Sequence, residues 1–91
     1  MIEFEVIKRR MNDNAQTPVN CQEIRALMIR GGTVFLKEQI FDMLKTEWYR
    51  FFVLKGVRQS FLMCAVRGHE HYVRTIPEDT PEDSLLHLPT F

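Results

Sequence analysis

The sequence predicts an α+β fold: a small antiparallel sheet built from a strand-helix-helix N-terminal part and a C-terminal three-strand meander. Three observations carry this. Ile2, Phe4 and Val6 alternate with Glu3 and Glu5 at the period of a half-buried strand, while Cys21, Ile24, Leu27 and Met28 recur at helical spacing. Two apolar runs joined by Lys55-Gly56-Val57-Arg58-Gln59 then have the composition of a hairpin.

Taken in order, the opening strand passes through Lys8-Arg9-Arg10 into the polar run Asn12-Asp13-Asn14-Ala15-Gln16, which reads as a loop. Thr17-Pro18 offers an N-cap followed by proline at the first helical position, and predicts a helix over about 18–30 that Gly31-Gly32 stops. Residues 33–35 fit a short strand or the entry to a second helix. That helix starts at 36 or 37 and runs to about 47, because Leu36, Ile40, Phe41, Leu44 and Trp48 share one helical face. Tyr49 to Leu54 and Phe61 to Val66 are apolar or aromatic at nearly every position and predict paired strands, with a last strand near 71–75 after Gly68-His69-Glu70. Thr80-Pro81-Glu82-Asp83 repeats the helix-start pattern and predicts one short turn through Ser84-Leu85-Leu86-His87-Leu88.

Ninety-one residues suit a single domain over 1–91, and the apolar fraction of 45% is that of a folding chain. Net charge is zero but unevenly placed. Residues 1–75 hold all twelve Lys and Arg against eight acids, whereas 76–91 hold four acids and no base. The latter read as an acidic, leucine-rich clasp that packs back on the domain or on a partner subunit, with Leu85, Leu86 and Leu88 buried and Asp79 or Asp83 paired with Arg74. No run approaches the roughly 18 apolar residues of a membrane span, and the first residues lack the layout of a secretion signal, so the expectation is a cytoplasmic chain with no membrane partner. Cys21 and Cys64, far apart and without histidines at ligand spacing, read as reduced core thiols.

Few constellations point to chemistry. His69 and His71 could share a side of a strand, but a catalytic metal site needs about three ligands and the sequence offers no obvious third. Glu78, Asp79, Glu82 and Asp83 fit helix capping and turns more simply than acid-base catalysis. No nucleophile triad, phosphate loop or dinucleotide fingerprint is present, so the reading is non-enzymatic, with no catalytic residue, metal or cofactor. The bases are more suggestive. Arg50, Arg67, Tyr72 and Arg74 are the candidate ligand-binding residues, since an Arg two positions from a phenol ring on a strand suits a phosphate or a stacked base. The alternative for Arg74 is a structural ion pair with the acidic tail.

The order Tyr72-x-Arg74, Asp79, Asp83, Leu85-Leu86 and Leu88-Pro89 resembles the C-terminal signature of the DUF3892 family of uncharacterised bacterial and phage proteins. Ser84 stands where that family commonly has asparagine, and Thr80 where a glycine often follows the aspartate. The resemblance implies a compact domain and no particular activity. Two expectations of function follow from the residues. The first is a binding or interaction module that self-associates as a homo-oligomer or meets a protein partner, through the strand aromatics Tyr49, Phe51, Phe52 and Phe61. The second is a receptor or sponge for a phosphorylated ligand, a nucleotide or single-stranded nucleic acid, on a basic-aromatic sheet face. Against it, a dedicated nucleic-acid binder usually carries net positive charge.

Overall fold

The computed structural model describes residues 1–12, 21–76 and 83–91. Six strands, β1 (Ile2–Met11), β2 (Ile24–Ile29), β3 (Val34–Leu36), β4 (Tyr49–Lys55), β5 (Arg58–Arg67) and β6 (Glu70–Thr75), form one sheet in the order β3-β2-β1-β4-β5-β6. One helix, α1 (Lys37–Lys45), and two 3-10 turns, Cys21–Glu23 and Ser84–His87, complete the described residues. All strand pairs are antiparallel except β1 with β4, which is parallel.

This corrects the expected fold class. Among the described residues the sheet is mixed and six-stranded with a single helix, and the predicted meander β4-β5-β6 is only one half of it. The predicted helix over 18–30 is instead, in its described part, the first 3-10 turn followed by β2. The physical cause is a β-bulge. Arg10 pairs with Ala26 but Met11 pairs with Ile24, so Arg25 is an extra residue in β2. With the preceding turn, the bulge leaves Cys21, Ile24 and Leu27 buried at intervals of three, a spacing that imitates one face of a helix. Gly31 and Gly32, expected to end a helix, do adopt positive φ of 105° and 96°, but they turn the β2-β3 hairpin, where Ile29 N–H donates to the Thr33 carbonyl. Val34 to Leu36 form β3, so the segment left open between strand and helix is mainly strand.

The second predicted helix is found as α1. Gln39 Oε1 accepts the Leu36 N–H at 2.8 Å ahead of the first turn, and Glu38 and Lys45 sit at the ends that suit the helix dipole. Its apolar side, with Ile40 and Phe41 buried, lies on the sheet face formed by Phe4, Val6, Leu27, Phe35, Phe51 and Val73. Four rings, Phe4, Phe35, Tyr49 and Phe51, make the aromatic part of that core, with centroids 5.2–6.1 Å apart.

Two strands change partner partway. β1 pairs with β4 through Ile2–Glu5 and with β2 through Val6–Met11, while β5 pairs with β4 through Arg58–Phe61 and with β6 through Leu62–Arg67. The staggered sheet curls until the first 3-10 turn reaches β6, where Glu70 accepts from Gln22 and Lys37 and Arg67 donates to Gln22.

The C-terminal residues close the other end of the same face. Leu85 and Leu86 are buried, as the sequence predicts, and Leu88 is half-buried. Asp83 spends its carboxylate on the main chain, Oδ2 accepting from Thr75 N–H and Oδ1 from Leu85 N–H. The alternative partner for Arg74, Asp79, lies outside the described residues, as do Glu78, Thr80, Pro81 and Glu82. Beyond the turn the tail joins β1: Arg9 N–H donates to the Pro89 carbonyl, and Phe91 N–H donates to the Arg9 carbonyl. Arg9 Nε also donates to the Leu88 carbonyl.

Candidate functional site: the outer face of the sheet

Side chains of paired residues share a face, so the registers divide the sheet in two. Phe51, Val53, Leu62, Cys64, Val73 and Thr75 face α1 and the tail. Arg50, Phe52, Leu54, Phe61, Met63 and Arg74 face the other way, as does Tyr72 by its register, although its ring is buried in the core cluster.

On that outer face Phe52 stands opposite Phe61, ring centroids 5.9 Å apart, and both rings are half-buried. The Arg50 guanidinium lies 5.5 Å from the centre of the Phe61 ring and 3.7 Å from Glu3 Oε2. With both charged side chains about half exposed, water screens that ion pair, and the guanidinium remains open to another anion. An apolar platform thus sits beneath a half-exposed positive charge.

The four candidate residues share this face but do not converge. Arg50 is at the platform, whereas Arg67 lies at the far end of β5 opposite Glu70, its NH1 donating to Gln22 Oε1 at 3.0 Å. Arg74 pairs across from Met63, four residues or about 13 Å along β5 from Arg67, and is half-buried. Tyr72 is only 3% exposed, so its ring offers no open side on which a base could stack. Sequence reasoning assigned Phe52 and Phe61 to a protein contact and left them out of the ligand-binding set. Their signal was present in the hairpin, because a register counted back from a two-residue turn at Gly56-Val57 puts them opposite each other.

Other groups with chemical potential are committed elsewhere. The His71 ring stacks on Phe41 at 4.5 Å, while His69 sits in the turn before β6. Among the described residues no three His, Cys, Asp or Glu side chains gather as a metal site. Cys64 Sγ donates to the Phe41 carbonyl at 3.3 Å, and burial pushes its thiol above the ordinary cysteine value, which disfavours a nucleophilic thiolate. Among the described residues no helix is long and apolar enough to cross a membrane.

No family model, curated protein or solved structure matches this chain. The likeness of residues 71–89 to the DUF3892 family therefore rests on its motif residues alone.

Proposed function

We propose that the chain is a non-catalytic binding module whose outer sheet face takes single-stranded nucleic acid. The observation that supports this is the half-buried Phe52-Phe61 pair with Arg50 over the Phe61 ring. Aromatic rings stack bases of any sequence, and an adjacent guanidinium meets the phosphates that join them. Lys8, Arg58 and Arg67 extend the basic character of the exposed surface. Fluorescence anisotropy with labelled oligo-dT and oligo-rU of roughly 12 nucleotides tests the reading. Binding should weaken steeply with salt, and Phe61→Ala should weaken it by about tenfold or more. An affinity that Phe61→Ala leaves unchanged would sink it.

A second reading, self-association, is favoured by an edge of the sheet among the described residues. β3 is an edge strand whose Val34 and Leu36 are 42% and 47% exposed, without the lysines that usually protect such an edge. Of the aromatics first assigned to this role, Phe51 is buried and Tyr49 packs into the core. Sedimentation velocity decides it: a dimer that Val34→Lys converts to monomer supports this reading, and a monomer at all concentrations removes it.

A further inference from the structure

We propose that the cleft between β4 and β5 is a strand-insertion site for a short extended peptide, held by main-chain pairing, with an apolar side chain turned inward and an acidic one beside Arg50. Among the described residues the β4-β5 ladder ends at Phe52-Phe61. Yet β4 continues back to Tyr49 along β1, and β5 continues to Arg67 along β6. Two strands, each paired on one flank, therefore diverge.

The main-chain directions settle what faces the gap. The Trp48 carbonyl accepts from Ile2 N–H, so Trp48 and Arg50 point their main-chain groups at β1 and Tyr49 points its own towards β5. Ile76 N–H donates to the Phe61 carbonyl, so Phe61 and Met63 serve β6 and Cys64 turns its N–H and C=O towards β4. Between these edges lies an open groove of about 550 Å³, lined by Leu44, Glu47, Tyr49, Arg50, Leu62 and Cys64 among others. That size falls within the usual range for ligand sites. Main-chain donors and acceptors want partners, and an extended peptide presents them at the repeat of a strand.

The lining also selects side chains. Leu44, Leu62 and the neutral Cys64 thiol suit an apolar residue directed inward, and Glu47 at the end of α1 repels an acid there. Arg50, half exposed on the outer side, attracts one. This inference does not rest on nucleic-acid binding: the two share Arg50, but nucleic-acid binding needs the rings of Phe52 and Phe61 and the peptide needs the strand edges at Tyr49 and Cys64.

The probe is a capped Val-Glu-Val-Glu-Val peptide, followed by amide NMR and hydrogen exchange. In the free protein the N–H groups of Tyr49 and Cys64 should exchange faster than those of Val53 and Met63, which sit in ladders. The peptide should slow exchange at Tyr49 and Cys64, and N-methylation of its central residue should weaken binding by about tenfold, the effect of losing a main-chain hydrogen bond. Arg50→Glu should transfer the preference to a Val-Lys-Val-Lys-Val peptide. Slow exchange at Tyr49 and Cys64 in the free protein, no peptide-induced protection there, or equal binding of the N-methylated peptide would each overturn the proposal.

Discussion

Two side chains show how single residues set local stability. Glu5 receives the Arg30 guanidinium on both oxygens, Nε to Oε1 and NH2 to Oε2 at 2.9 Å each, and this hydrogen bonding holds its carboxyl below the usual glutamate value despite the opposing effect of desolvation. A depressed carboxylate contributes stability that is fully present above its unfolded pKa and fades as the pH falls through the lower folded value. Glu5→Gln should therefore lower the melting temperature at neutral pH, and the gap from the parent should close on acidification; a gap that stays constant down to acid pH would contradict this. Glu47 is the one described non-glycine residue with positive φ, 64°, at the left-handed position just after α1. That position favours glycine, because a Cβ crowds the neighbouring carbonyl. Glu47→Gly should raise stability by up to about 1 kcal/mol in denaturant titrations, and a loss would mean that the Glu47 side chain contributes more than its backbone costs.

At the scale of elements, the Ser84–His87 turn is held by apolar burial and by one buried carboxylate. Leu85 is fully buried and should cost about 2–5 kcal/mol when cut to alanine. Asp83 is equally buried, and its loss orphans the Thr75 and Leu85 N–H groups, so Asp83→Ala should cost about 1.5–3 kcal/mol rather than the smaller figure of an exposed ion pair. Urea unfolding of both variants tests this, and near-neutral behaviour of Asp83→Ala would show that water replaces the carboxylate. The elements also show what a sequence discloses. The β4-β5 hairpin, β6, α1 and the last turn were legible, because turn residues, β-branched and aromatic runs and a leucine face act locally. β2 was not, since the bulge at Arg25 depends on its partner β1 and leaves a helical imprint. The candidate surface was half legible for the same reason. Strand alternation put Tyr72 and Arg74 on one face beside Arg50 and Arg67 on the sheet, but the burial of Tyr72 and the engagement of Arg67 by Gln22 arise from segments distant in sequence.

Across the whole molecule, the sheet is completed by pairings between remote parts of the chain. The tail occupies the flank of β1 that faces away from β2, beyond the stretch where β4 pairs with it. Removing residues 88–91 frees the Arg9 N–H and C=O and takes the cover from the end of the core. The melting temperature should fall by several degrees, about 4–8 °C for each kcal/mol lost, and the Arg9 amide should exchange faster; an unchanged melting curve would show that the tail contributes nothing to stability. The same bridge has a consequence for biosynthesis. β1 precedes its last neighbour, Phe91, by 81 positions counted from Arg10. Until that segment is synthesised the nascent β1 carries an uncovered flank, so a pairing of such high sequence separation closes late and slowly.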